Sequence, residues 1–447
     1  MRDIAFSLIL AALSAISLVN PFAGMLSWGW ITFALPSSSL WGFAAQIPAN
    51  LIIAIATIIG WVLQANKINA QADRTLILLL LLASAIALST AFSLDFDRSL
   101  PKAREYMINF TFLIMILFCL NSKVRIDAFV WMMVFCICYY SVKGGLAFLI
   151  SGGAYRFEGP PGTSIGDNNH LAAAFLLAIP LINYLRLHAA TRMVRNGLTG
   201  LLVLTILAVL CTQSRGGFIG LVVLGGVFWW MSGRRISHIA AGLAIMCIAV
   251  ALASENLVSR LQTIESAHQQ DASFLGRVVS WQMHVDAALD RPLVGAGPYA
   301  IQTWSVFGVY RPTAPIVDIQ LQRPVAAHSI YFQVLGDLGF VALGLYIALL
   351  WTAWRNATWV IQRAADHPAS LWMVNLASMT RVSLLTFAVT GGAVSMAFYD
   401  YFLAILALTA CLRRKLEEQQ DAIIDHASKR RASRYLRRGF PTTDHQS

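Results

Sequence analysis

One arginine of the chain stands between two apolar runs with almost no polar segment beside it. Arg215 lies in Gln213-Ser214-Arg215-Gly216-Gly217, and few acidic residues are near it in the sequence. Placing one arginine at membrane depth costs roughly 2.5–3.5 kcal/mol on insertion scales, so such a cation needs an anionic partner. The planar guanidinium fork matches phosphate oxygens. We therefore predict that Arg215 binds an anionic ligand.

A histidine directly before a later apolar run is the second candidate. His328 lies in Ala327-His328-Ser329. An imidazole with a pKa of about 6.5 can accept a proton from a hydroxyl at neutral pH, which predicts a general base. A lone histidine in such a place is nevertheless more often structural. His170 is the competing candidate, but Asp167-Asn168-Asn169 before it is typical of a helix N-cap.

The long polar segment that ends at His328 contains two further patterns. Between positions 275 and 289, apolar side chains recur at helical spacing, which predicts a helix that lies on the membrane, caps a cavity or simply packs in the loop. Arg291-Pro292-Leu293-Val294-Gly295-Ala296-Gly297-Pro298 follows and predicts a rigid, turn-rich backbone. Gly295 and Gly297 could cradle a phosphate, although no GxGxxG or Walker pattern follows.

The composition defines the elements that must position these residues. The 447 residues are 57% hydrophobic and 12% charged, with a mean hydropathy of +0.64, which excludes water-soluble domains. Many separate apolar runs of helical length exclude a single-anchor enzyme and an outer-membrane barrel. The net charge of +11 falls largely in short loops and the C-terminal tail, so we discard nucleic acid as a partner. The six cysteines form no CxxC pair, which predicts neither a zinc site nor a disulfide framework.

The apolar runs predict an all-α polytopic membrane protein with about 12 transmembrane helices and one long periplasmic loop before the eleventh. A first stretch, 4–35, is broken at Asn20-Pro21 and is either one kinked span or two short ones; we favour a single kinked span, part of an N-terminus kept as an anchor. The later spans are predicted at 48–64, 75–92, 105–121, 126–150, 170–187, 198–213, 216–232, 236–253, 331–353, 380–397 and 400–412.

Lysine and arginine in alternate loops predict the orientation of these spans. The rule that basic loops are cytoplasmic places the tail inside, residues 254–330 outside and, with twelve spans, the N-terminus inside. This divides the chain into an N-terminal bundle of about ten spans (1–253), a periplasmic loop with amphipathic helices (254–330), C-terminal transmembrane helices (331–412) and a basic cytoplasmic tail (413–447).

The outer loops are nevertheless rich in basic residues. Those side chains either reach the interface and pair with nearby carboxylates, or together hold an anion at the outer membrane face; for the whole set we favour the anion. The basic residues concerned are Arg98, Lys102, Arg104, Arg156, Arg215, Arg260, Arg277, Arg291, Arg311 and Arg323.

The ordered set of motifs resembles the O-antigen ligase and polymerase superfamily of bacterial inner-membrane glycosyltransferases. The resemblance covers most of the chain from about 150 to 340, and the N-terminal segment is similar to putative O-glycosylation ligases found beside exosortase systems. Gln333 and Asp337 stand where the familiar motif has Glu. The motifs are Arg156-Phe157-Glu158-Gly159, Asp167-Asn168-Asn169, Ser214-Arg215-Gly216-Gly217, Arg277 with Trp281, Arg291-Pro292-Leu293-Val294-Gly295-Ala296-Gly297 and Ala327-His328-Ser329.

The resemblance implies a multi-pass enzyme of the inner membrane whose active site faces the periplasm. The donor would be a glycan on undecaprenyl pyrophosphate, transferred to an acceptor hydroxyl without nucleotide sugar, metal or other cofactor. His328 would be the general base, and direct displacement would invert the anomeric configuration. Arg215 would stabilise the charge that develops on the pyrophosphate. Arg156, Arg277, Arg291, Arg98 and Lys102 would be substrate-binding.

Three kinds of alternative remain open: another member of the superfamily, a transporter and a structural scaffold. Within the superfamily, the acceptor distinguishes a ligase that uses lipid A-core from a polysaccharide polymerase and from a protein O-oligosaccharyltransferase. An anion or lipid transporter would also explain the arginines, but it predicts ionisable residues deep within the spans, where they are nearly absent. A structural scaffold would leave the basic outer loops unexplained.

Overall fold

The computed structural model describes residues 1–64, 73–231, 272–312, 321–365 and 368–437, and in these ranges the chain is helical, with no β-strand. This confirms the all-α class. The helices are α1 (Arg2–Val19), α2 (Pro21–Ala34), α3 (Ala49–Leu63), α4 (Arg74–Ala91), α5 (Phe96–Cys119), α6 (Lys123–Ser151), α7 (Asn168–Leu187), α8 (Arg192–Cys211), α9 (Arg215–Met231), α10 (Ala272–Asp290), α11 (Trp304–Tyr310), α12 (Ile330–Ala364), α13 (Leu371–Thr390) and α14 (Asp400–Arg437).

The apolar runs account for the helices that can cross a bilayer. Seven helical segments of the described chain are long and apolar enough to do so, and α3 and α9 are shorter apolar helices. Lipid offers no hydrogen-bond partner to the backbone, so apolar segments must satisfy their amides internally, as a helix does. These helices indicate a multi-pass membrane protein. The predicted span 236–253 lies outside the described residues.

The first apolar stretch forms a helical hairpin, and our prediction of one kinked span is wrong. Asn20 leaves the helical conformation, and its side chain accepts the backbone N–H groups of Phe22 and Ala23 at the start of α2. The Asp3 carboxylate accepts the N–H of Ala44 at 3.1 Å, which brings the beginning of α1 to the segment that follows α2. The two helices are therefore antiparallel.

The hairpin also changes the predicted position of the N-terminus. Phe33, near the end of α2, packs against Tyr401, near the beginning of α14, with ring centroids 5.1 Å apart. Asp3 thus lies at the end of the bundle where α14 begins, and the tail leaves from the other end. The beginning of α1 and the end of α14 therefore lie at opposite ends of the described bundle, whereas twelve spans would place both termini on the same side of the membrane.

Helix α12 packs against α4, α10, α13 and α14, and it is broken at Gly339, whose φ is +84°. The break leaves the carbonyls of Gly336 and Asp337 to accept the N–H groups of Ala296 and Gly297, both at 2.9 Å. The loop that precedes α12 in the chain is therefore hydrogen-bonded into the helix.

The elements around this loop agree in part with the predicted ones. Helix α10 confirms the helix predicted between 275 and 289. The predicted span 380–397 is displaced, because α13 ends at Thr390 and the chain continues through a short 3-10 turn, Gly391–Ala393, into a non-helical segment. This turn and segment lie beside His328.

Candidate functional site

His328 is held in an unusual backbone conformation at the end of the loop. Its φ is +46°, in the left-handed region that non-glycine residues rarely adopt. Its N–H donates to the Ser395 hydroxyl at 2.7 Å, and the Trp281 indole N–H donates to the Ala327 carbonyl at 2.7 Å. The Trp281 ring also stacks on Phe332, with centroids 5.1 Å apart. Helix α10 and the segment after α13 thus hold the backbone at His328 in a conformation that persists only where the surrounding structure supports it.

The environment of the imidazole keeps it neutral. Its Nδ1 is buried and has no hydrogen-bond partner among the described residues. Burial, then the positive charge of Arg277 and the neighbouring His170, lower the pKa of His328 to about 4, while the Asp167 carboxylate opposes this. A neutral imidazole is the form that accepts a proton.

The arginine of the Ser-Arg-Gly-Gly motif begins α9. Two hydrogen bonds of the Ser214 hydroxyl fix this turn: it donates to Asn169 Oδ1 at 2.7 Å and accepts the N–H of Gly217 at 3.0 Å. The Asn168 side-chain amide donates to the Thr212 carbonyl at 2.9 Å. These contacts join the beginning of α7 to the α8–α9 turn. The backbone of Arg215 therefore lies next to the Asp-Asn-Asn motif.

The segment after α13 connects Arg215 to the histidine loop. A Cβ added at Gly216, the residue after Arg215, would lie 3.6 Å from Ala393, and Ser395 binds the backbone of His328. A Cβ at Gly220 would lie 2.3 Å from Leu176 and 2.5 Å from Thr390. Because glycine has no side chain at this position, α9 can pack closely against α7 and α13. Arg215 and His328 therefore flank one short segment.

Arg277 joins the same group from α10. Burial and the nearby charge of Arg215 lower the pKa of its half-buried guanidinium, and the Asp167 carboxylate opposes them. Arg277 therefore lies within electrostatic range of Arg215, Asp167 and His328. Guanidinium groups so close together repel each other, and an anion between them would relieve that repulsion.

Asp167 is the carboxylate of this group. It caps α7 by accepting the N–H of Asn169 at 2.8 Å, and it also accepts the Asn169 side-chain amide at 2.9 Å, which confirms the predicted N-cap. Burial would raise its pKa, but these hydrogen bonds and the adjacent His170 hold the pKa below its usual value. We call Asp167, His170, Arg215, Arg277 and His328 the His328 cluster.

Two further basic residues lie at its border. The Arg156 guanidinium donates to Asn168 Oδ1 at 2.7 Å and pairs with Glu158 at 3.0 Å, so it is already bound by protein groups. Lys102 binds Glu105 at 2.8 Å and lies within electrostatic range of His170.

Two of the predicted substrate-binding residues do not join the cluster. Arg98 is exposed, and the nearby carboxylate is Asp95. Arg291 donates to the Phe92 carbonyl at the end of α4. Arg291 thus belongs to the contact between the loop and the α4–α5 turn, where the Leu94 N–H also donates to the Ala296 carbonyl at 2.9 Å.

The glycines after Arg291 are structural. The N–H groups of Gly295 and Gly297 donate to the carbonyls of Arg291 and Asp337, at 2.8 and 2.9 Å. Both residues have positive φ, +61° and +108°. Their amides are therefore not available to a phosphate, and the suggested phosphate cradle at this sequence is wrong. His284 is likewise structural: its Nδ1 lies 2.7 Å from the Ser280 carbonyl, and its ring packs against Gly336.

The described residues contain no group of three His, Cys, Asp or Glu side chains that could hold a metal ion. The cluster instead combines two guanidinium groups, one carboxylate and two imidazoles. Such a set can bind a phosphorylated ligand and accept a proton beside it.

Comparisons with known proteins agree with this arrangement. Residues 200–347 match the family O-antigen ligase. The resemblance to the O-antigen ligase superfamily is confirmed. This ligase-family region contains Arg215, Arg277 and His328, and it supports a glycosyltransferase-like function of ligase or polymerase type. Residues 1–190, which include Arg156 and Asp167, match a family of unknown function, DUF5935. No curated protein matches the chain.

Sequence reasoning did not find every residue of the site. Ser395 carries no recognisable signal, because it lies in a span predicted to be helical through 397. Asp167 was predicted only as an N-cap, and its charge matters because α7 begins beside the α8–α9 turn. That proximity comes from the fold.

Proposed function

We propose that the protein transfers a glycan from undecaprenyl pyrophosphate to an acceptor hydroxyl at the periplasmic face of the bacterial inner membrane. The observation that carries this proposal is the meeting of Arg215, Arg277 and His328 in one cluster, in a chain whose ligase-family region contains all three. The site lies at the ends of membrane helices, where a lipid-linked donor can reach it.

In this reaction His328 removes the proton of the acceptor hydroxyl while the oxygen attacks the anomeric carbon. The attack comes from the face opposite the pyrophosphate, so the configuration inverts. Because its pKa is lowered, His328 is unprotonated at neutral pH and ready to act. General-base catalysis of this kind contributes typically 10²–10⁴-fold to a rate.

The leaving pyrophosphate gains negative charge as the glycosidic bond breaks. Arg215 and Arg277 stabilise this charge, and they are most effective in the transition state because guanidinium groups fixed before the reaction need no reorganisation. Pyrophosphate is a good leaving group, so the proposal requires neither a general acid nor a metal ion. Arg156, bound to Asn168 and Glu158, orients the beginning of α7 and Asp167 with it.

The acceptor determines the biological role. Lipid A-core would make the protein an O-antigen ligase, a second lipid-linked repeat unit would make it a polysaccharide polymerase, and a protein hydroxyl would make it an O-oligosaccharyltransferase. A transporter of anions or lipids is the weaker proposal, because the cationic residues of the cluster gather at one end of the helices.

The experiment is reconstitution of the full chain with lipid-linked glycan in buffer containing EDTA, supplied with each of the three acceptors in turn. The wild-type protein is expected to transfer glycan to one of them. Arg215→Ala is expected to lower the transfer rate at least 100-fold at an unchanged protein level. The reason is that the variant loses a preorganised positive charge at the leaving group.

Arg195→Ala is the matched control, since Arg195 is an exposed arginine at the opposite end of α8. It is expected to retain transfer. Wild-type activity in Arg215→Ala, or loss of wild-type activity in EDTA that added divalent metal restores, would contradict the proposal.

A further inference from the structure

A cavity lies at the end of the helices opposite the His328 cluster. It has a volume of about 220 Å³ and lies between α4, α12 and α14. Asn356 of α12 contributes to its wall, roughly 40 Å along that helix from Ile330. The described residues that line it are Asp73, Arg74, Thr75, Asn356, Ala410, Arg413, Arg414 and Glu417. We call it the arginine pocket.

The hydrogen bonds in the arginine pocket fix two of its three guanidinium groups. Arg413 donates to Glu417 Oε1 at 2.8 Å and to Asn356 Oδ1 at 3.2 Å, and its guanidinium lies over the Trp359 ring. Arg414 donates to the backbone carbonyls of Leu117 and Leu120 at the end of α5. The walls are thus preorganised, which lowers the entropy cost of binding a ligand.

The charges in the pocket do not cancel among the described residues. Glu417 neutralises Arg413, and the Asp73 carboxylate is occupied as the N-cap of α4, where it accepts the N–H of Leu76 at 3.0 Å. Arg414 binds only carbonyl groups, and Arg74, at the rim, forms no ion pair with a described residue. The three arginines therefore exceed the two acids by one positive charge, beside the positive end of α4.

We propose that the arginine pocket binds a phosphate group. Guanidinium groups bind phosphate oxygens in a planar, bidentate manner, and three of them line this one cavity. The pocket is smaller than the roughly 300–1,000 Å³ of typical small-molecule sites, which suits a headgroup better than a whole nucleotide. Basic pockets between transmembrane helices are known to bind anionic lipid headgroups. The position between helix ends thus favours a lipid phosphodiester over soluble phosphate.

Native mass spectrometry of the full chain in detergent tests the proposal. The probes are dioleoylphosphatidylglycerol, which is anionic, dioleoylphosphatidylcholine, which is zwitterionic, and inorganic phosphate as a competitor. We expect phosphatidylglycerol adducts that fall at least fivefold in Arg74→Gln, while phosphatidylcholine adducts stay few in both proteins. Because Arg74 is exposed, the variant is expected to fold, and its elution profile and thermal midpoint without lipid verify this.

Arg192→Gln is the matched control. Arg192 is the first residue of α8 as Arg74 is the first of α4, and it is also exposed, but it lies outside the pocket. If the phosphatidylglycerol adducts resist millimolar phosphate, the proposal is supported and the bound phosphate group belongs to a lipid. If phosphate displaces the adducts, and raises the thermal midpoint of the wild-type protein but not of Arg74→Gln, the proposal is supported and the ligand is soluble phosphate. It is overturned if Arg74→Gln keeps wild-type adducts and phosphate response, or if Arg192→Gln loses as much.

Discussion

At the scale of single residues, the site depends on which charges face His328. The outer arginines are alike in the sequence, yet among the described residues only Arg215 and Arg277 lie with the imidazole, while Arg291 belongs to the contact between the loop and the α4–α5 turn. Residue type and the orientation of the spans could predict a group of cations at this end. Residue type and span orientation could not predict which cations belong to the His328 cluster, because that depends on how α10 and α7 pack.

His328→Ala is expected to lower kcat at least 100-fold and to change donor affinity less than threefold, because the imidazole acts on the acceptor proton and not on the pyrophosphate. Transfer rates and donor binding, measured separately, check this. His188→Gln, at the far end of α7, is the control and should behave as wild type. Loss of donor affinity in His328→Ala would make the histidine a binding residue.

The acid limb of the pH profile is the second prediction at this scale. A general base with a pKa near 4 stays active as pH falls through 6.5, so kcat/KM should decline only as pH approaches about 4. Arg277→Gln removes a positive charge that disfavours the imidazolium, so the pKa of His328 should rise and the limb should move to higher pH. A limb near 6.5 in the wild type, or a shift to lower pH in the variant, would contradict the described environment.

At the scale of elements, the sequence predicts the helices better than their ends and connections. Apolar runs locate α6, α7 and α9 to within a few residues. The break at Asn20-Pro21 is compatible with a kink or a hairpin, because the apolar pattern is the same for both; a contact between distant residues, Asp3 and Ala44, decides it. Gly295 and Gly297 resemble a phosphate-binding loop for a similar reason. Glycines with positive φ occur both in phosphate-binding loops and in tight structural turns, so the sequence alone does not distinguish the two.

Gly297→Ala tests the structural role of that loop. A Cβ at Gly297 would lie 2.0 Å from the Ser93 hydroxyl, and φ is +108°, so the substitution should cost about 3 kcal/mol or more of unfolding free energy. Thermal unfolding in detergent measures it. Gly308→Ala in α11, where no atom lies within 4 Å of the added carbon, is the control and should leave the midpoint nearly unchanged. Equal midpoints for the two variants would refute the assignment.

At the scale of the whole molecule, the two ends of the bundle have different chemistry. The His328 cluster, the loop and the N-terminus lie at one end, and the arginine pocket and the exit of α14 lie at the other. Positive loops could predict which end is cytoplasmic. The number of helices, and with it the side of the N-terminus, depends on the hairpin.

Cysteine labelling checks this arrangement. Arg2→Cys should react with a membrane-impermeant maleimide in intact spheroplasts, whereas Arg437→Cys should react only after lysis, because the two positions lie at opposite ends. The wild-type protein serves as the background, since its five described cysteines are buried or half-buried. Labelling of both variants under the same condition would place the termini together and refute the hairpin.

The break in α12 has a consequence for biogenesis. Until residues 296 and 297 reach the break, the Gly336 carbonyl lacks its donor from the loop and the Asp337 carbonyl is left with the Ser89 hydroxyl alone. Unpaired carbonyls are costly in hydrocarbon. Because the loop precedes α12 in the chain, it is synthesised first and is already present when that helix enters the bilayer. Chain order thus lets a discontinuous transmembrane segment mature without exposing bare backbone to lipid.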